Sequence, residues 1–205
     1  MTSSKQSKAD LAAQCYTERW PERPPLNPVG MLTGVWMIGS CYKNPNKLYG
    51  AYPYGYLDRV HTLFPKAKTV LHAFSGGLTI EAAKECALPG VEFELVDLKG
   101  PEDGRHPTYQ CSVLNLPASW KGRFDLVLAD PPYSTDDAEK YGTPMPSRAE
   151  VCKSLRRVTK KGGDLVWLDQ VWPMHSKLDW KLWGTIGLVR STNHRVRLVS
   201  IFEAV

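Results

Sequence analysis

Apolar and polar positions along the chain fall into blocks whose period changes from two to about 3.6. Phe124-Asp-Leu-Val-Leu-Ala129 is a short apolar run rich in β-formers, the pattern of a strand buried on both faces. It breaks at Asp130-Pro131-Pro132-Tyr133, because neither proline can donate to a sheet ladder. Upstream, Lys68 to Phe74 is a second strand running into Ser75-Gly76-Gly77, and residues 78–86 follow as a helix closed by Leu88-Pro89-Gly90. Val91 to Asp97 alternates as a third strand ending in an acid, and Tyr109 to Pro117 reads as a fourth with a turn. Asp164 to Asp169 is the next. Residues 183–190 and 195–202 then form a two-stranded ending around Ser191-Thr192-Asn193-His194.

Between and before these blocks the pattern turns helical or irregular. Leu57, Val60 and Phe64 share one helical face that Pro65 ends, and Val35 to Ser40 reads as a strand. Ser147 and Glu150 form a capping box for a helix with Val151, Leu155 and Val158 inward, stopped by Gly162-Gly163. Its Lys153, Arg156, Arg157, Lys160 and Lys161 lie mostly outward, as a solvated face or a phosphate contact. Residues 134–146 are polar and predict a long loop serving as a lid or substrate contact. Residues 1–19 predict a frayed helix, and the proline-rich stretch from Trp20 to Pro28 an extended arm strapped along a domain surface. Strands and helices alternating through 68–170, then a terminal hairpin, give an α/β fold with a mostly parallel, doubly wound sheet. The organisation expected is an arm over 1–30 and a single domain over 31–205.

Composition changes this picture little. At 205 residues, 42% hydrophobic and 23% charged, the chain has enough apolar material for one full core. The net charge of +5 suits a polyanionic partner. Five cysteines (15, 41, 86, 111 and 152) are widely spaced and odd in number, which argues against a disulfide framework or a zinc site and fits a reducing cytoplasm. The polar N-terminus has no signal-like apolar core, and no stretch is long and apolar enough to span a bilayer as a helix.

The chemistry concentrates at the C-terminal ends of the parallel strands, where open α/β sheets hold ligands. Gly76 and Gly77 let the backbone approach a ligand closely, and Asp97 at a strand end can accept both hydroxyls of a ribose. Asp130 presents a carboxylate on a stiff loop with Tyr133 beside it; alternatively the Asp is only a turn cap. Asp130-Pro131-Pro132-Tyr133 after such a strand resembles the catalytic loop of S-adenosylmethionine-dependent DNA amino-methyltransferases, which methylate adenine N6 or cytosine N4. Phe74-Ser75-Gly76-Gly77 is similar to that family's cofactor loop, and the proline-aromatic segment from Tyr49 to Tyr56 to the one that flanks the methionine end of its cofactor.

The resemblance, spanning roughly residues 49–205, implies a class I, Rossmann-like methyltransferase domain with a seven-stranded sheet and S-adenosylmethionine as cofactor. Tyr52, Pro53, His72, Phe74, Ser75, Gly76, Gly77, Asp97, Leu98, Cys111 and Ser112 would bind it, and Asp130, Pro131, Pro132 and Tyr133 would act on the base. Two usual acids are replaced, by His72 and by Cys111-Ser112. The hairpin tip would bring Arg190, His194 and Arg195 to a nucleic-acid backbone, unless it is a plain polar turn. Residues 98–123 are too short for a separate target-recognition segment. Recognition then falls to short loops, to a second copy or a partner, or hardly occurs at all. The leading expectation is adenine N6 in DNA. A ribosomal RNA guanine-N2 enzyme, a DNA cytosine-N4 enzyme and a non-catalytic cofactor-binding subunit of a heterodimer stay open.

Overall fold

The computed structural model describes residues 6–39, 52–191 and 195–205. Its elements in chain order are α1 (Lys8–Arg19), β1 (Leu32–Ile38), α2 (Tyr56–Leu63), β2 (Thr69–Ala73), α3 (Ile80–Glu85), β3 (Glu92–Asp97), β4 (Tyr109–Gln110), β5 (Phe124–Ala129), α4 (Thr135–Tyr141), α5 (Arg148–Val158), β6 (Thr159–Asp169), β7 (Trp180–Arg190) and β8 (Val196–Ala204). The strands form one sheet in the order β1-β7-β8-β6-β5-β2-β3-β4. Pairing is parallel except at β8, which runs antiparallel to both β6 and β7. The expected mostly parallel sheet with an antiparallel C-terminal hairpin is present.

The strand count is eight rather than seven. β1 extends the hairpin side by pairing with β7 from Leu32↔Gly184 to Ile38↔Arg190. Leu32, Trp36 and Ile38 are buried while Val35 and Met37 are exposed, so one face of the strand joins the core. β5 occupies the middle, between β2 and β6, and Leu126, Val127 and Leu128 are all wholly buried there. A continuous apolar run is what a two-sided burial requires.

Two cores flank the sheet. One packs α1, α2 and β1 against residues such as Val70, Leu128 and Ile201; the other packs α5 against Leu71, Val127 and Trp167. α1 is not frayed. Ser7 Oγ accepts the Asp10 N–H at 3.1 Å and the Asp10 carboxylate takes the Ser7 N–H at 3.3 Å. Tyr16 then stacks on Trp36 at 5.9 Å, which anchors the helix. The proline stretch straps back as expected: Asn27 bridges Thr33 in antiparallel fashion and Leu26 is buried.

Three local expectations are corrected. Residues 134–146 contain α4, capped by Ser134 accepting the Asp137 N–H and closed by Gly142 at φ 62°. Acids in the first turn and that glycine are helix signals the polar composition obscured. α5 ends at Val158, and Lys160 to Gly163 belong to β6, not to the helix. The cause is tertiary: a Cβ at Gly163 would lie 2.9 Å from the Asp125 carbonyl, so glycine lets β6 lie close to β5. β4 is only two residues long, because Ser112 caps a short 3₁₀ turn over Val113–Asn115 instead of continuing the strand.

Three basic residues of the α5 region are engaged with protein, while Lys153 and Lys161 are exposed. Arg156 donates to the carbonyls of Asp179 and Thr159, Arg157 to Leu116, and Lys160 pairs with Asp125 at 2.6 Å. The two arginines satisfy backbone carbonyls and Lys160 a carboxylate.

Candidate active site

Two neighbouring strand ends build one wall of a cleft at the C-terminal edge of the sheet. β2 leads directly into Phe74, which has a left-handed φ of 62°, a strained conformation for a residue with a side chain. Packing and hydrogen bonds hold it: Ser75 N–H donates to the Val96 carbonyl at 2.9 Å, and Gly76 N–H to Asp97 Oδ2 at 2.9 Å. The glycine turn and the acid at the end of β3 are thereby locked together. Asp97 Oδ1 accepts the Lys99 N–H at 3.0 Å, and the Arg105 guanidinium lies 3.6 Å from Oδ2. Asp97 is therefore already well supplied with donors, and a bound ribose would compete with Arg105 for it.

The cleft encloses about 230 Å³. Of the residues expected to hold cofactor, Phe74, Gly76, Asp97, Leu98 and Ser112 line it, together with Asp130 and Pro132 from the loop after β5. The remaining wall is Arg105, Val113 and Leu114 on one side and Tyr141 and Thr143 to Ser147 with Glu150 on the other, so the segment leaving α4 roofs the cleft. Val113, Leu114 and Leu98 make it apolar where a planar ring would lie, and Asp97 makes it polar where hydroxyls would. That division suits a nucleoside.

Tyr52, Pro53, His72, Ser75, Gly77, Cys111, Pro131 and Tyr133 do not line this cleft. Cys111 contributes its N–H to the Asp97 carbonyl at 3.0 Å and leans on the α5-side core. His72 is wholly buried on the other face of β2, in ring contact with Tyr52, His61 and Phe93. Burial first, then the neighbouring His61, keep its pKa well below the usual imidazole range, and burial lowers His61 to about 4. His72 is thus a neutral core ring and not a substitute for the acid of the resembling family. His194 and the Tyr49–Ala51 part of the proline-aromatic segment lie outside the described residues.

A second, contiguous group surrounds Asp130. Tyr133 Oη donates to Asp130 Oδ1 at 2.5 Å. Arg197 of β8 lies over the Tyr133 ring, its guanidinium carbon 4.7 Å from the centroid. Tyr52 stacks on Tyr56 at 5.5 Å, and both are coupled electrostatically to Asp130, whose charge, after burial, keeps their hydroxyls well above the usual phenol value. Burial raises Asp130 to about 7, against the opposing pull of Arg197 and the Tyr133 hydroxyl. An acid poised there switches between donor and acceptor near neutrality.

The hairpin reaches the same sheet edge. β7 runs parallel to β5, so Arg190 ends at the same sheet edge as Asp130, and its N–H donates to the Arg195 carbonyl at 3.1 Å. Arg197, two residues further along, is the hairpin residue that reaches the loop. Sequence reading missed it, and missed Arg148, which donates to the Tyr133 carbonyl at 2.8 Å. Neither lies in a motif, so only their place in the fold reveals them. Among the described residues there is no group of three or more His, Cys, Asp or Glu that could hold a metal, and no helix long and apolar enough to cross a membrane.

No protein-family model and no curated sequence matches the chain. Solved structures do. A 1,6-didemethyltoxoflavin-N1-methyltransferase from Burkholderia thailandensis, crystallised with 1,6-didemethyltoxoflavin and S-adenosylhomocysteine, is similar over 72% of this chain and 76% of its own, at TM-score 0.52 and 15% identity. TrmN from Thermus thermophilus matches over 67% of this chain and 44% of its own, at TM-score 0.48 and 15% identity. A 16S rRNA (adenine(1408)-N(1))-methyltransferase from Catenulisporales acidiphilia matches over 67% and 85%, at TM-score 0.45 and 15% identity. At such identity the likeness to the first concerns the fold, which is that of the class I methyltransferases.

Proposed function

We propose that the protein transfers a methyl group from S-adenosylmethionine to an exocyclic amino group of a nucleic-acid base, with adenine N6 in DNA as the leading target. One observation carries the reading: the Asp130-Pro131-Pro132-Tyr133 loop opens into the same cleft as the Phe74–Gly76 turn and the acid at the end of β3. A methyl donor held by that turn and by Asp97 would meet an acceptor held by Asp130. The cleft fits such a cofactor, having an acid for ribose hydroxyls and Leu98, Val113 and Leu114 for an adenine. When bound, the cofactor supplies an electrophilic methyl on a sulfonium.

The chain's own residues have the harder task, because the lone pair of an aromatic amine is delocalised into its ring. The Asp130 carboxylate accepts one N–H and the Pro131 carbonyl the other. The nitrogen moves towards tetrahedral geometry and its lone pair is freed for in-line attack. Attack on the donor's methyl would form the N–C bond as the C–S bond breaks, and the proton shed by the methylated amine would pass to Asp130. A pKa of about 7 suits the carboxyl to that role and then to release the proton to solvent. Tyr133 supplies a ring face for an extruded base once Arg197 has moved aside.

The deciding experiment offers labelled S-adenosylmethionine with duplex DNA, single-stranded DNA and ribosomal RNA in parallel, followed by nucleoside digestion. N6-methyladenine in DNA is expected. N4-methylcytosine or N2-methylguanine would reassign the base, and cofactor binding without transfer to any of them would indicate a binding subunit.

A further inference from the structure

Arg148 occupies the first position of α5, where the positive end of the helix dipole disfavours a cation. Its partners account for the placement. Nε donates to Asp169 Oδ2 at 2.7 Å, and Nη2 donates both to Asp169 Oδ1 at 3.2 Å and to the Tyr133 carbonyl at 2.8 Å. Asp169, the last residue of β6, is fully buried and also accepts the Trp167 indole N–H at 3.1 Å and the Gln170 N–H at 2.7 Å. The carboxylate is thus surrounded by donors and holds the guanidinium plane in one orientation.

The geometry points to Arg148 and Asp169 as a positioning pair that fixes the Asp130–Tyr133 loop for chemistry, a role resting on the methyl-transfer reading above. The near end of the loop is set by β5, whose last residue, Ala129, pairs with Ala73 and Trp167. Two prolines stiffen its middle. Its far end is the Tyr133 carbonyl, and among the described residues the hydrogen bond holding that carbonyl comes from Arg148. Ser147 and Glu150, the cap and first turn of the same helix, line the nucleoside cleft. The first turn of α5 therefore touches the cleft and grips the loop at once, so the distance between a bound methyl donor and the Asp130 acceptor is set partly by Arg148. Arg148 touches no reacting atom. Its effect passes through Tyr133, whose hydroxyl in turn bonds Asp130 at 2.5 Å.

Arg148→Lys separates positioning from simple charge pairing. Lysine keeps a cation beside Asp169, but it lacks the planar fork needed to bridge the carboxylate and the Tyr133 carbonyl together. Hydrogen exchange followed by mass spectrometry should show at least roughly tenfold faster exchange in peptides covering residues 130–136 in Arg148→Lys, with little change in β2 or β3. In the methyl-transfer assay kcat should fall by about tenfold to hundredfold while the KM for S-adenosylmethionine stays within about threefold, because small misplacements near reacting atoms carry that cost. Asp169→Asn, which removes the charge but not the bulk, should reproduce both effects and serves if the lysine variant does not fold. Unchanged loop exchange in a folded variant would overturn the positioning role. Faster loop exchange in a protein whose wild type methylates no nucleic acid would refute the substrate reading and leave the clamp standing.

Discussion

Asp130→Asn tests the electrostatics of the site through stability, without needing a substrate. The side chain keeps its shape and an acceptor oxygen for the Tyr133 hydroxyl, and only the ionisable proton is lost. Burial raises the carboxyl from 3.8 to about 7. In the unfolded chain the group returns to the ordinary value, so between those two values the folded state binds more protons than the unfolded one. The contribution to stability is full below 3.8 and is lost as pH rises through about 7. One pH unit of difference corresponds to about 1.4 kcal/mol. Between pH 5 and pH 8.5 the wild type should lose about 3 kcal/mol that the asparagine variant keeps, and roughly half that with allowance for the partial solvation of the group. Urea unfolding of both proteins at the two pH values measures this directly. The variant should gain on the wild type as pH rises. A difference in stability that is the same at both pH values would refute the assignment of a raised Asp130, and with it the proton-accepting role.

Other expectations follow from the same geometry. Arg197→Ala removes a cation that holds the Asp130 carboxyl down, so the pH at which methyl transfer rises should move upward; an unchanged pH–rate profile would count against the coupling. His61 is neutral in the fold down to about 4 but protonates near 6.5 when unfolded, so stability should fall as pH drops through that interval, by about 3 kcal/mol at most from this group, and His61→Leu should flatten that limb of a thermal-denaturation series. Leu155→Ala opens a hole in the α5-side core, where Leu155 is wholly buried, and should cost about 2–5 kcal/mol in chemical denaturation without altering the pH dependence.

The strand content, the glycine turn at residues 75–77, the acid ending β3 and the Asp-Pro-Pro break after β5 were all legible in the chain, because each depends on local pattern. A continuous apolar run needs burial on both faces, prolines end a ladder, and a serine with acids behind it caps a helix. The capping of α1 and α4 was written in the same local code and was obscured only by polar composition. What tertiary structure alone decided is which face each residue meets and which distant residues join the loop. His72 sits one residue before Ala73 in the cofactor strand, yet the pleat turns it away from the cleft, towards His61 and Phe93. Gly162 and Gly163 look like a helix stop, yet both lie in β6, and Gly163 serves where that strand closes on the Asp125 carbonyl. Arg148, Asp169 and Arg197 carry no motif. They reach the Asp130–Tyr133 loop because parallel strands end on one edge and β8 returns beside β6, an assembly set by long-range pairing and not by neighbours in sequence.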